Sequence, residues 1–327
     1  MLSSLHYRIN RYDIICERIQ DSDSKSKAFP RKAKRTLVNG YDLCYTVAYF
    51  FSHDPGNDGG KTGMLLTIDV GNTNIVFGIF QNDKLIGTFR LSTTENRTAD
   101  EIGLIICQYF NSFHIDLAYI EDVIIASVVP RIMFALTNAV IKYIGKKPII
   151  VDEDVFPSVK YKGEGQLGAD RSVCCEAALA NYQAPLIVVD LGTATTIDAI
   201  NETGWYMGGS IFAGLQTSTE ALFSKAAKLP QIELIKPSTV LGYNTVEQIQ
   251  AGSVIGYIGS VEFLLRETKR EMGFGDTVTV VGTGGFSKLI ADYTDMIDVV
   301  DSQLLLQGLQ ILHQKYEKEQ RGRKTGD

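Results

Sequence analysis

The chain has 327 residues, 45% of them hydrophobic, and a formal net charge of −6. That length supports two domains with real cores, and the composition excludes a disordered or membrane-embedded chain. No apolar run reaches the ~18–20 residues of a transmembrane helix, and the acidic balance gives no support to nucleic-acid binding.

The first 63 residues differ from the rest. They carry 10 Lys and Arg against 7 Asp and Glu, whereas the remainder carries 22 against 31. They lack the apolar core of a signal peptide. Asp21–Arg35 reads as loop, and Tyr41–Phe51 as a strand or short helix. Gly56-Asn57-Asp58-Gly59-Gly60-Lys61-Thr62 resembles a P-loop, but its spacing is one residue short. A P-loop must also run into a helix whose N-terminus faces the phosphates. Here the chain runs into Met64–Ile68, which reads as a strand. Gly59-Gly60-Lys61 can be encoded by purine-rich codons like those of a bacterial ribosome-binding site, and a Met follows. The expectation is that translation starts at Met64 and that residues 1–63 are a disordered extension or upstream sequence.

From Met64 the pattern predicts three strands, Leu65–Val70, Ile75–Gln81 and Lys84–Leu91. A helix follows over Thr98–Phe113, capped by Asn96 or Thr98, with Ala99, Ile102, Ile105, Ile106 and Tyr109 on one side. Val123–Val129 reads as a buried strand ending at Pro130, Arg131–Gly145 as a helix, and Pro148–Val151 as a short strand. Arg171–Tyr182 reads as a helix rich in Ala and Cys. The order then repeats. Leu186–Leu191, Thr196–Asn201 and Trp205–Ile211 read as strands, and Gln216–Ala227, Thr245–Lys269 and Ser287–Ala291 as helices. Thr277–Val281 is another strand, ending in Gly282-Thr283-Gly284-Gly285. Leu304–Glu319 closes the body as a helix, and Lys318–Asp327 is a charged tail expected to fray. Three strands, then helix and strand, twice over, predict two mixed α/β domains with flanking helices and a cleft between them. Ligands in such sheets sit beyond the carboxyl ends of the strands.

Chemistry concentrates at those ends. Asp69-Val70-Gly71-Asn72-Thr73-Asn74 recurs in altered form as Asp190-Leu191-Gly192-Thr193-Ala194-Thr195, 121 residues later. Each copy follows an apolar strand and joins a carboxylate to a turn of small and hydroxylated residues. Backbone N–H groups and hydroxyls at such a turn suit phosphate oxygens, and the Asp suits a hydrated cation beside them. One copy could be an ordinary turn; two on matching strands suggest a polyphosphate gripped from both sides. Gly282–Gly285 could be a helix entry, but in this context it reads as a neighbour of a nucleotide's sugar or base. Gly208-Gly209 could be a bend. Gly168-Ala169-Asp170-Arg171 opens a helix between the two turns. It offers a carboxylate to accept a hydroxyl proton and a guanidinium to hold an anion. Five cysteines without a Cys-x-x-Cys pair read as reduced thiols, not as a disulfide framework or zinc site. His6, His53, His114 and His313 lie away from the Asp motifs, which argues against His-based catalysis.

These motifs, with Ser127-Val128-Val129-Pro130, Gly208-Gly209-Ser210-Ile211 and Asn244-Thr245-Val246-Glu247, resemble in order and spacing those of type III pantothenate kinases. That family lies in the acetate kinase/Hsp70/actin-like superfamily. The resemblance runs from Met64 to about Gln314 and leaves residues 1–63 without a counterpart.

The resemblance implies two duplicated ribonuclease H-like (actin-like ATPase) domains. On this reading residues 64–183 form the first domain, with the phosphate loop and the substrate motif. Residues 184–316 form the second, with the second phosphate loop and an adenosine motif, and 317–327 are the tail. It also implies roles. Asp69, Val70, Gly71, Asn72, Thr73, Asn74, Ile75 and Val76 form the first phosphate loop for ATP, and Thr193 contacts its phosphates. Asp69 holds Mg²⁺, largely through water, and Asp190 binds a monovalent cation, K⁺ or NH₄⁺. Asp170 is the general base on the primary hydroxyl of pantothenate. Tyr161, Gly168, Ala169 and Arg171 hold that substrate, joined by Thr245 from the partner subunit of a homodimer.

The implied activity is ATP-dependent phosphorylation of pantothenate in the cytoplasm, opening coenzyme A synthesis, with no nucleic-acid or membrane partner. The alternatives are another small-molecule kinase of the superfamily and a non-catalytic nucleotide-binding regulator. The intact Gly-Ala-Asp-Arg with Tyr161 disfavours the first, and retention of Asp170 and both phosphate turns disfavours the second. Two departures stand out. The family usually carries Asn-Pro after the tyrosine where Gly163-Glu164 stands here. Ala213 replaces a proline before Gly214 that would fix the turn's φ.

Overall fold

In the computed structural model, residues 63–161, 167–226 and 228–325 are described. The N-terminal extension, with Tyr41–Phe51 and the P-loop-like Gly56–Thr62, lies outside them, as does Gly163-Glu164.

β1 (Met64–Val70) is apolar almost throughout and buried on both faces, as a central strand must be. It pairs antiparallel with β2 (Asn74–Gln81), which pairs antiparallel with β3 (Lys84–Ser92). α1 (Ala99–Ser112) follows, and Thr98 rather than Asn96 is its cap. The Thr98 hydroxyl accepts from the Glu101 N–H at 3.3 Å, and the Glu101 carboxylate accepts from the Thr98 N–H at 2.7 Å. This reciprocal box satisfies two donors that the first turn would leave bare. β4 (Ile120–Ser127) then lies parallel to β1, starting three residues earlier than its apolar run suggested. α2 (Pro130–Ala139) uses Pro130 at its first turn, where the missing N–H costs nothing, and ends in a π-turn over Val140–Ile144. β5 (Ile149–Ile150) completes a five-stranded sheet of order β3-β2-β1-β4-β5.

β6 (Lys160–Tyr161) and α3 (Ala169–Asn181) link this sheet to the second. β7 (Leu186–Leu191), β8 (Ala194–Ile200) and β9 (Trp205–Ala213) form an antiparallel meander. After it come α4 (Leu215–Lys225), α5 (Thr245–Gln250), a π-turn at Ala251–Ile255 and α6 (Gly256–Met272). β10 (Thr279–Thr283), α7 (Ser287–Ala291), β11 (Val299–Val300) and α8 (Leu304–Thr325) finish the chain. The charged C-terminal segment, expected to fray, continues α8 as far as Thr325. The second sheet has the order β11-β10-β7-β8-β9-β6. Five of its strands repeat the first sheet's order, so the fold is a duplicated ribonuclease H-like unit of actin-like type.

Two elements leave the sheet that their chain position suggests. β6 pairs with β9, in the second sheet. α8 packs through Leu306, Leu309 and Leu312 among Leu65, Phe80 and Ile124 of the first. α3 touches both sheets. Ala169 and Val173 join that same cluster, while Cys174, Cys175, Ala177 and Ala178 join Leu186, Val188 and Ile200 of the second. Small side chains let one helix approach on two sides. The clearest case is Gly308 of α8, where a Cβ would lie 2.4 Å from the Val173 carbonyl oxygen.

Candidate active site

Both Asp-x-Gly turns close on the first residue of the next strand, the second turn being one residue shorter. After β1, the Gly71 N–H donates to the Asn74 carbonyl at 3.0 Å; after β7, the Gly192 N–H donates to the Ala194 carbonyl at 3.2 Å. Each turn is clamped by residues just beyond the third strand of its meander, in the second case including the first turn of α4. Thr93 donates its N–H to the Thr73 carbonyl at 2.9 Å and its hydroxyl to the Gly71 carbonyl at 2.6 Å. The Thr193 carbonyl accepts from the Gly214 N–H at 3.0 Å and the Thr217 hydroxyl at 2.7 Å. The clamps rigidify the turns while Asn72, Thr73, Asn74 and Thr193 stay exposed. Thr73 and Thr193 then meet hydroxyl to hydroxyl at 2.7 Å. Within Asp69–Val76, Val70 and Ile75 are buried core side chains, so only their backbone can face a ligand.

Three carboxylates converge behind the turns. Asp69 and Asp190 each lie one residue from the end of their strands, β1 and β7, and Asp170 stands in the first turn of α3. Burial, then the neighbouring charges of Asp170 and Asp190, push Asp69 up to about 8, against a smaller pull from Arg90. Burial, then Asp170 and Asp198, push Asp190 up to about 7. Burial also raises Asp170, although the Arg171 N–H, which donates to its Oδ1 at 2.8 Å, pulls the other way. Like charges drawn this close resist joint ionisation unless a cation or a proton joins them. The donor set of hard carboxylate oxygens beside hydroxyls suits Mg²⁺ or an alkali cation.

Gly282–Gly285 belongs to this cluster. Gly284 sits at φ +89°, and a Cβ there would lie 2.3 Å from Asp190 Oδ1 and 2.7 Å from the Leu191 backbone. The glycine lets the turn after β10 lie against the second phosphate-type turn.

Arg171 is engaged within the protein. Its Nη2 donates to Asp198 Oδ1 at 2.5 Å and to the Tyr206 hydroxyl at 2.9 Å, and its Nε donates to Asp198 Oδ2 at 3.3 Å. Burial lowers the guanidinium's pKa, but the bond and charge of Asp198 outweigh it and hold the value above the usual one. Removing one partner of such a buried pair typically costs about 3–5 kcal/mol. Tyr161 is paired in register with Tyr206 across β6 and β9, which brings it to the neighbourhood of Arg171. It also lines a cavity of about 120 Å³ with Asp152, Phe156, Val159, Leu167 and Ser172. Thr245 lies elsewhere. It lines a cleft of about 690 Å³ between α4 and the α5–α6 run, with Phe212, Leu222, Gly252, Gly256 and Tyr257. No residue is common to the two linings. Tyr257 joins the cleft to the second turn through a short hydrogen bond with buried Thr195.

Sequence reasoning overlooked Asp198, Tyr206 and the clamping Thr93 and Thr217. Asp198 carried a readable signal, being a lone carboxylate in the apolar strand Ile197-Asp198-Ala199-Ile200, where a buried charge needs a partner. Ala213, which replaces the proline, pairs with Ala194 in ordinary strand register.

The family model described as type III pantothenate kinase matches residues 65–267. Among solved structures, a protein of Campylobacter jejuni titled as a conserved Baf family transcriptional activator has 20% identity. It has a TM-score of 0.48, with 79% of this chain and 99% of that one covered. Ethanolamine utilization protein EutJ from Carboxydothermus hydrogenoformans has 14% identity and a TM-score of 0.43, with 76% and 89% covered. MreB 5 of Spiroplasma citri bound to AMPPNP has 11% identity and a TM-score of 0.44, with 80% and 99% covered.

Proposed function

The chain belongs to the type III pantothenate kinase family, and we propose that it transfers the γ-phosphoryl group of ATP to the primary hydroxyl of pantothenate. The product would be 4'-phosphopantothenate, and the step the first of coenzyme A synthesis. The observation that carries this reading is the placement of Asp170. A carboxylate raised by burial stands with the Asp of each phosphate-type turn, where an acceptor hydroxyl and a polyphosphate would meet.

In this mechanism Asp170 accepts the hydroxyl proton as the oxygen attacks phosphorus. The clamped turns at Gly71–Thr73 and Gly192–Thr193 present N–H groups and hydroxyls to the phosphate oxygens. Mg²⁺ held through water at Asp69, and K⁺ or NH₄⁺ at Asp190, would supply positive charge against the phosphates. Arg171 offers its remaining donors to the pantothenate carboxylate, and the small cavity lined by Tyr161 suits the apolar part of a compact acceptor. Positioning and electrostatics suffice, and no covalent enzyme intermediate is required.

The active unit is proposed to be a homodimer in which Thr245 of one protomer completes the acceptor site of the other. Support comes from Gly252, Gly256 and Gly259, where an added Cβ would meet nothing within 4 Å, so this face is open to a second helix. A cytoplasmic location is proposed with it; among the described residues no helix is long and apolar enough to cross a membrane.

The test is ADP release by the full chain with ATP and Mg²⁺, with and without pantothenate, and the product identified by mass spectrometry. Pantothenate-dependent ADP release with a phosphorylated product is expected. ATP turnover indifferent to pantothenate, or none at all, would overturn the reading.

A further inference from the structure

We propose that Asp198, Tyr206 and Gly209 are positioning residues that hold the Arg171 guanidinium in one orientation, so that it receives the acceptor's anionic group through Nη1. This inference rests on the kinase reading above and adds the part of the chain that makes Arg171 selective.

A guanidinium has five N–H donors in a rigid fork. The bonds from Nε and Nη2 to Asp198 and Tyr206 use three of them. Among the described residues, the two on Nη1 have no partner and are left for a ligand. Asp198 is 1% exposed and is itself held by the Tyr206 hydroxyl at 3.0 Å and the Thr196 hydroxyl at 3.2 Å. The carboxylate therefore cannot swing to follow the arginine; the arginine must conform to it.

A second observation is independent of these bonds. Across β8 and β9 the residue opposite Asp198 is Gly209. A Cβ at Gly209 would lie 3.0 Å from Arg171 Nη2, 2.9 Å from the Tyr206 hydroxyl and 2.3 Å from the Ile197 carbonyl oxygen. The strand is hollowed at the place where the guanidinium crosses it. Orientation matters because Arg171 adjoins Asp170 and its N–H donates to that carboxylate. An anion fixed on Nη1 sets the acceptor's position relative to the base, and a misplacement of about 1 Å can cost ~10²-fold in rate.

The test compares two acceptors on the full chain: pantothenate, and the analogue whose carboxylate is replaced by an alcohol. Tyr206→Phe removes one hydroxyl, and Asp198→Asn keeps the shape without the charge. The parent is expected to prefer pantothenate in kcat/KM. Both variants should lose roughly tenfold or more of that preference through a raised KM for pantothenate, as loss of one charge-assisted bond implies. The KM for ATP should stay within about twofold. A merely structural role would lower activity on both acceptors alike. If Asp198→Asn does not fold, Tyr206→Phe decides alone. Folded variants that keep the parent's preference, or that lose both acceptors equally, overturn the inference. A parent that phosphorylates neither acceptor would instead remove the kinase reading, and this inference with it.

Discussion

Thr73 and Thr193 touch hydroxyl to hydroxyl at 2.7 Å although 120 residues separate them along the chain. Each stands immediately before the second strand of its meander, and each turn's carbonyls are clamped by residues just beyond the third strand. Two halves that each form half a grip therefore close on one point. The kinase reading rests on this convergence together with Asp170.

Replacing Asp170 by Asn should lower pantothenate phosphorylation by ~10²–10⁴-fold, the usual loss for a general base. The amide keeps the shape but cannot accept the proton, so nucleotide affinity should change little. Steady-state rates and titration with a fluorescent ATP analogue check both halves. A variant within threefold of the parent rate would take the base role from Asp170.

The metal-free protein should lose stability as pH rises from 5 to 8. Asp69 and Asp190 are held at about 8 and about 7 in the fold, against an ordinary 3.8. Between those values the folded state keeps protons that the unfolded state has released. Their contribution is complete below the ordinary value and is lost as pH climbs through the raised ones. Melting curves in EDTA across that range should show the decline, and Asp69→Asn should flatten it. A melting temperature constant across the range, or unchanged by Asp69→Asn, would count against the clustered carboxylates.

Activity should require K⁺ or NH₄⁺, and Asp190→Ala should abolish the dependence together with most of the rate. Burial beside other carboxylates is the reason, since a further cation there relieves their repulsion. Initial rates in Na⁺ against K⁺ buffers decide the point. Equal rates, with an unimpaired Asp190→Ala enzyme, would refute it.

Gly308→Val should destabilise the fold. Even a Cβ at this position lies 2.4 Å from a backbone carbonyl of α3, so α8 must move away from it. Overpacking of this sort costs about 1–3 kcal/mol, which denaturant unfolding resolves. An unchanged midpoint would mean that the two helices do not approach closely in solution.

Chains carrying Asp170→Asn and chains carrying Thr245→Ala should each be nearly inactive, yet regain activity when mixed. A heterodimer with shared sites restores one intact site from the two unmutated residues. Subunit exchange followed by mass spectrometry, with rates measured alongside, gives the answer. A mixture as inactive as its components after verified exchange would end the shared-site idea.

Much of the architecture was legible in the sequence because burial period and turn chemistry are local. The apolar runs before Asp69 and Asp190 mark β1 and β7, and the Thr98–Glu101 box marks the start of α1. Duplication was readable from the recurrence of the Asp-x-Gly turn, and that pattern is what proposed the phosphate site. Contacts between distant segments were not local and left weaker traces. That β6 would join the second sheet, and α8 the first, depends on which exposed edge and which apolar face remain open once the meanders have formed. The engagement of Arg171 by Asp198 and Tyr206 depends on strand register, which places Gly209 opposite Asp198 and so makes room for the guanidinium. Composition and pattern determined the pieces and the candidate chemistry. Only the tertiary structure decided which side chains the chemistry can use, because a donor's direction and a carboxylate's proton affinity are set by neighbours that the linear chain does not order.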